Sequence, residues 1–90
     1  MTSNAGHLSL TTAANGTDWV AFSAQRLSRL IISNHSGHAI EFRQGGAGAG
    51  LVVPKDQFFT FNNIGSASDI EARRLDQNNG QVVITARWEE

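Results

Sequence analysis

The sequence predicts an all-β fold, a small antiparallel β-sandwich or barrel of about seven or eight short strands with a flexible N-terminal arm. Short runs of β-branched and aromatic residues alternate with polar ones, and turn-forming clusters separate these runs every 8 to 12 residues or so. No segment keeps the 3.6-residue period of an amphipathic helix. Ninety residues support one hydrophobic core, so we expect a single β domain over residues 1–90.

The N-terminal part is expected to contain an arm followed by two extended segments. Residues 1–7 lack periodicity, which predicts a flexible arm. Leu8 and Leu10 alternate with polar residues and predict a first strand. The next segment is expected to place Trp19 and Phe22 on opposite faces.

The middle of the chain contains a predicted hairpin and a predicted loop. Arg29–Ser33 and His38–Arg43 are apolar at alternate positions and are joined by the turn formers at 34–37, so we expect the two segments to pair with each other. The run Gly45–Gly50 has almost no side chain to pack and is expected to form an exposed, mobile loop.

The next strand is predicted over Gln57–Asn62 and carries three phenylalanines. Phe58 and Phe59 are adjacent and therefore point to opposite faces, so one of them is expected to lie outside the main core as a contact residue. After this strand, Ser66 is positioned to cap a single helical turn.

The segment Asp69–Trp88 is interpreted as a second β-hairpin. Its two β-compatible runs flank Asn78-Asn79-Gly80, residue types that tolerate the positive φ angles of a tight turn. The second run places Val82, Ile84, Ala86 and Trp88 on one face, which predicts that this face is buried.

Composition argues against several classes of protein. Seven basic and eight acidic residues give a net charge of −1. A protein that binds the phosphate backbone of nucleic acid usually has a clear excess of basic residues, so this class is disfavoured. The chain has no cysteine, so neither disulfides nor thiolate metal sites are available. It shows neither a signal-peptide pattern nor a long apolar run, so we expect a soluble protein made in the cytoplasm, with no membrane partner.

Three patterns could indicate chemistry, and each has a simpler reading. His35 and His38 could present two imidazoles to a metal, but no third ligand lies beside them, so we predict no metal site. The Gly45–Gly50 run does not open a helix and lacks the Lys-Ser/Thr pair of a phosphate loop, so we predict no cofactor. The serines and carboxylates form no nucleophile–base constellation, so we expect no catalytic residues and no enzyme activity.

The remaining candidates are contact residues. Arg73 and Arg74 are adjacent on a strand and must point to opposite faces, so Arg74 shares the side of the core and either projects to a partner or lies at a strand end already open to solvent. Trp88 continues an apolar face and is expected to pack at the core or its edge. Trp19 is free to serve as an interface residue or as a stacking platform for a sugar.

From Leu27 onward, about two thirds of the chain resembles small virion-associated β-sandwich proteins of tailed bacteriophages. The resemblance lies in the turn at 34–37, the Glu41-Phe42-Arg43 strand, the glycine-rich loop, the 51–54 segment leading to Phe58–Phe61, the 70–74 strand and the final 82–88 strand. It implies a virion structural protein of the capsid decoration or head/tail accessory type, present in many copies.

The first functional hypothesis is therefore a bacteriophage virion subunit, located in the virion and acting by protein–protein contacts with capsid, connector or tail proteins and with its own copies. Its candidate interface residues are Trp19, Phe58, Phe59, Arg73 and Arg74. The alternative is a carbohydrate-binding module for surface attachment that uses Trp19 or a phenylalanine as its platform.

Overall fold

The computed structural model describes residues 4–90, and for residues 47–49 it describes the main chain only. Within this part of the chain there are eight strands and one short 3₁₀ helix. The strands are β1 (Ala5–Thr11), β2 (Val20–Ala21), β3 (Arg29–Asn34), β4 (Ile40–Gln44), β5 (Ala47–Val53), β6 (Gln57–Asn62), β7 (Ile70–Arg74) and β8 (Val83–Glu89).

The strands form two antiparallel four-stranded sheets, in the order β1-β8-β3-β6 for the first sheet and β2-β7-β4-β5 for the second. The strands also pair as nested partners: β1 with β8, β2 with β7, β3 with β6 and β4 with β5. This is the arrangement of an eight-stranded jelly roll, in which one long folded hairpin wraps into two packed layers. The predicted all-β class and strand number are confirmed.

Both predicted hairpins are wrong in their pairing, although their strands are correctly placed. β7 belongs to the second sheet and β8 to the first, and the eight residues 75–82 carry the chain across the sandwich. β3 and β4 likewise lie in different sheets, so the turn formers at 34–37 begin a crossing between layers. Turn residues indicate that the chain changes direction, but they do not specify the sheet that it enters next.

The tight hairpin lies instead where a loop was expected, between β4 and β5. Gly45 and Gly46 are its two central residues, with φ angles of 70° and 71°, and Gln44 pairs with Ala47 across the turn. Positive φ at both central positions is what a type I′ hairpin turn requires, and glycine adopts it without steric cost. A register shift follows between Phe42 and Gln44, so β5 is bulged against β4.

The core lies between the sheets and is built from the alternate residues of the strands. On β8, Ile84 and Ala86 are buried as predicted, and Trp88 packs at the edge of the core against Gly6. The buried apolar side chains are Leu10, Phe22, Leu27, Leu30, Ile32, Ile40, Phe42, Val53, Ile64, Ala67, Ile70, Ala72, Ile84 and Ala86. Truncation of a buried phenylalanine such as Phe42 to alanine would cost roughly 3–5 kcal/mol.

The N-terminal segment joins the first sheet earlier than the sequence indicated. β1 already begins at Ala5 and pairs with β8 as far as Glu89, so the arm predicted for residues 1–7 does not include residues 5–7. Residues 1–3 of that predicted arm lie outside the described residues. The single helical turn is confirmed at Ala67–Asp69, where the Ser66 side chain accepts a hydrogen bond from the Ser68 N–H.

A buried amide ties together two of the connections between sheets. The Asn34 Nδ2 group, at the end of β3, donates to the carbonyl oxygens of His38 and Val53, each at 2.9 Å, and to that of Pro54 at 3.2 Å. Its Oδ1 atom accepts from the Ser36 hydroxyl at 2.6 Å. Asn34 therefore links the β3–β4 crossing to the β5–β6 crossing, and its bond to the buried Val53 carbonyl satisfies a group that is removed from water.

Candidate functional site

The most exposed large apolar side chain among the described residues is Phe58 on β6. Its side of the strand faces outward, so 64% of the residue remains exposed. Phe59 and Phe61 occupy the inward side, with ring centroids 4.9 Å apart in an edge-to-face arrangement. Of the two adjacent phenylalanines, Phe58 is thus the one that lies outside the core, whereas Phe59 packs against the core.

Phe58 sits in a small surface together with two polar residues, one on β3 and one in the turn that follows β3. The His35 ring meets it edge-on at a centroid distance of 5.8 Å, and Ser33 on β3 is its partner across the ladder. We define the Phe58 surface as Phe58, His35 and Ser33. The His35 Nδ1 atom lies 3.7 Å from Asp56 Oδ1, in the turn that precedes β6.

The Phe58 surface adjoins an open sheet edge. β6 is the last strand of the first sheet, and its neighbour on the same flank is β5, the last strand of the second. No residue of Gln57–Asn62 is charged, and none is proline. Because lysine, proline or bulges are the usual means of blocking an edge, β6 offers its main-chain groups to an added strand.

A second candidate surface lies on the outer face of the second sheet. Two oppositely charged pairs face each other across β4 and β7: Arg43 Nε is 2.7 Å from Glu71 Oε1, and Arg73 Nε is 3.0 Å from Glu41 Oε1. Cross-strand pairs of opposite charge stabilise a sheet by about 0.2–1 kcal/mol each. The four residues form a charged layer in which each guanidinium is already paired.

Trp19 lies on this charged layer. The Cζ atoms of Arg43 and Arg73 are each 4.4 Å from the centroid of the indole, within the range of cation–π attraction. Arg73 also donates from Nη1 to the Thr17 carbonyl at 3.0 Å, which holds the segment that carries the indole. We call Trp19, Arg43 and Arg73 the Trp19 stack.

Arg74 has a different environment from Arg73. It shares the inward side of β7 with Ile70 and Ala72 and is only 7% exposed. Its guanidinium binds Asp76 through two bonds, of 2.9 and 2.7 Å, and also donates to the Gly80 carbonyl at 3.0 Å. The hydrogen bonds from Arg74 are the main reason that the pKa of Asp76 lies below its usual value, with a further contribution from the Asn78 N–H.

Arg74 also links two of the connections between strands. Its Nη2 atom lies 3.2 Å from His38 Nδ1, so the β7–β8 crossing is held to the β3–β4 crossing. An Nδ1 atom without a proton accepts this bond, whereas a protonated ring cannot. The geometry gives Arg74 a role within the chain, because its donors bind Asp76, Gly80 and His38.

The structure brings together some of the residues predicted to form an interface and separates others. Trp19 and Arg73 meet in one stack, Phe58 lies on the other sheet, and Phe59 and Arg74 are directed into the molecule. Two contact residues were not predicted, Arg43 beneath Trp19 and His35 beside Phe58. Alternation with buried Phe42 places Arg43 on the outer face, but no local signal indicates that the distant indole covers it.

The described residues hold shallow depressions but no cluster of metal-binding side chains. Arg26, Leu27, Ser28 and Glu90 line a depression of about 340 Å³. Within residues 4–90, no three His, Asp or Glu side chains come together in a way that could hold a metal ion. The same residues contain no helix with the length and apolar character needed to cross a membrane.

No protein-family model matches the chain, and no curated protein matches it either.

Proposed function

We propose that this protein is a structural subunit of a bacteriophage virion, of the capsid decoration or head/tail accessory type, that acts by protein–protein contact. The observation that carries the proposal is the Phe58 surface beside the open edge of β6. Together they offer an apolar side chain and a row of main-chain donors and acceptors, which is the combination used when a partner adds a strand to a sheet. Jelly rolls occur in viral capsid domains and also in lectins, so the fold is compatible with this role without specifying it.

The binding energy in this proposal comes from two sources. Strand addition pairs the free backbone groups of β6, and burial of the exposed part of Phe58 contributes roughly 1–2 kcal/mol before ordering costs. One such contact is weak, so the proposed subunit is present in many copies and also contacts its own copies. Repetition then converts weak contacts into stable attachment.

The test is to purify assembled particles from the source and measure the protein in them by mass spectrometry, with electron microscopy to locate it. We expect a fixed copy number per particle. The Phe58→Ser variant should be lost from the particles, whereas Val83→Ser should be retained, because Val83 is 52% exposed on the same sheet but lies on an interior strand. Absence of the wild-type protein from every assembled particle would overturn the proposal.

A second candidate function, carbohydrate binding, is favoured by the Trp19 stack. A half-buried indole that packs against two guanidinium groups is held by these contacts, so a sugar that stacks on it would meet little entropic cost. Glycan-array binding and fluorescence titration test this function. The titration uses a Trp88→Phe background so that only Trp19 emits. An empty array together with unchanged Trp19 emission would exclude it.

A further inference from the structure

Two Asn-Gly dipeptides that are distant in sequence meet in the loops at one end of the sandwich. Asn15-Gly16 lies between β1 and β2, and Asn79-Gly80 lies in the crossing from β7 to β8. The Gly16 N–H donates to Asn79 Oδ1 at 3.1 Å. Gly16 is buried, and a Cβ atom there would collide with the Asn78 carbonyl oxygen, so the contact requires glycine.

An asparagine followed by glycine can react with its own backbone. The nitrogen of the following residue attacks the side-chain Cγ, a C–N bond forms in a five-membered succinimide, and the side-chain nitrogen leaves as ammonia. Water then opens either carbonyl of the ring and gives aspartate or isoaspartate. Glycine favours the attack because no side chain obstructs the approach of its nitrogen.

The structure blocks this reaction at Asn15. The nucleophile there would be the Gly16 nitrogen, but its hydrogen is donated to Asn79 and the residue is buried away from base. The Asn15 Oδ1 atom accepts from the Thr17 N–H at 3.2 Å and from the Thr17 hydroxyl at 2.9 Å, which polarises its Cγ as well, so the protection of Asn15 rests on the buried, bonded Gly16 nitrogen. Reaction at Asn15 requires the bond from Gly16 to Asn79 to break first.

The same contact favours the reaction at Asn79. Hydrogen bonding from the Gly16 N–H to Asn79 Oδ1 draws electron density from Cγ and stabilises the negative oxygen that forms on attack. Gly80 is exposed, and within residues 4–90 no hydrogen bond engages its N–H. The Arg74 guanidinium lies against Gly80, 3.0 Å from its carbonyl oxygen, but Asp76 already neutralises its charge, so reaction at Asn79 is favoured by the unengaged Gly80 N–H and the bonded Asn79 Oδ1 alone.

We propose that Asn79 is a site of spontaneous deamidation in the folded protein and that Asn15 is protected from it. Each event replaces a neutral amide by a carboxylate and takes the formal net charge from −1 to −2, one unit more negative. An aspartate at position 79 can still accept the Gly16 N–H. An isoaspartate lengthens the backbone by one carbon and displaces Gly80 from Arg74.

The experiment compares the two sites in the same sample. The folded protein is incubated in mildly alkaline buffer, digested with trypsin and analysed by mass spectrometry; the peptides 1–26 and 75–87 carry Asn15 and Asn79 separately. We expect Asn79 to react about tenfold faster than Asn15 or more, the factor that corresponds to breaking one protecting hydrogen bond. In urea, where the fold is lost, the two rates should converge.

Three outcomes overturn the proposal, two of them in the wild-type protein and one in a control variant. In the wild-type protein, one is equal or faster reaction of Asn15 in the folded state, and the other is an Asn79 that reacts in urea but stays intact in the fold. The Asn79→Gln variant supplies the matched control, because a glutamine would have to close a less favourable six-membered ring. Conversion in peptide 75–87 should disappear in this variant, and its persistence would assign the reaction to another residue and also contradict the proposal.

Discussion

Replacement of Arg74 by methionine is expected to destabilise the fold and to leave the outer surfaces unchanged. Methionine preserves most of the aliphatic stem but removes the two bonds to Asp76, the bond to the Gly80 carbonyl and the contact with His38. The Asp76 side chain is 41% exposed, so its bonds count for less than buried ones. With that discount, the removed interactions together lower the free energy of unfolding by roughly 2–3 kcal/mol. For a domain of this size, the melting temperature would fall by ~10–20 °C.

Urea unfolding followed by tryptophan fluorescence measures this loss, and an unchanged denaturant slope would show that the unfolded state is the same. Arg87→Met is the matched control. Arg87 lies on the outer face of the first sheet, its Nε atom is 3.4 Å from Glu89 Oε2, and its loss should cost less than about 0.5 kcal/mol. If Arg74→Met were as stable as the control, the view of Arg74 as a structural link between the crossings would be refuted.

Three further predictions concern the acid sensitivity, the buried amide and the hairpin turn. Folding lowers the pKa of Asp76, so as the pH falls this residue is protonated in the unfolded chain before it is protonated in the folded one. The stability that ionised Asp76 contributes is therefore complete above pH ~4 and is lost as the pH drops through the folded pKa. Asp76→Asn should remove that part of the acid dependence of the unfolding free energy. Asn34→Ala should cost roughly 2–4 kcal/mol in urea unfolding, because the buried Val53 carbonyl and the half-buried His38 carbonyl lose their donor. A loss below about 1 kcal/mol would contradict the bonding described. Gly46→Ala should cost about 1–2 kcal/mol in melting experiments because of its positive φ, whereas Gly65→Ala, which has open space and an ordinary φ, should be close to neutral; equal effects would argue against the type I′ turn.

The strands could be predicted from the sequence because a strand with one buried face alternates apolar and polar residues along the chain. The boundaries of β6 agree with the prediction, and the buried face of β8 is the predicted one. Pairing could not be predicted in this way. Asn78-Asn79-Gly80 is typical of a hairpin turn, yet its backbone passes between sheets, and what holds it there is a guanidinium from β7 together with the Gly16 loop.

The hairpin at Gly45-Gly46 was missed for the opposite reason. β5 begins Ala-Gly-Ala-Gly, which has little strand propensity and no alternation of polar and apolar residues. At Gly50 the absence of a side chain leaves room for the Glu41 side chain, which reaches across from β4, so tertiary contacts determine the strand. Of the surface candidates, Phe58 could be assigned by alternation with Phe59 and Phe61, whereas the placement of Trp19 over Arg43 depends on a contact between distant segments.

The nested pairing of the strands also determines how the molecule responds to tension. β1 and β8 are antiparallel neighbours, so the chain near Ala5 and the chain near Glu89 emerge side by side at the same end of the first sheet. A force that pulls these two points apart loads the ladder one hydrogen bond at a time and peels β1 from β8. A jelly roll with this geometry resists tension between these two points poorly, whereas forces applied to its faces do not load this ladder in the same way.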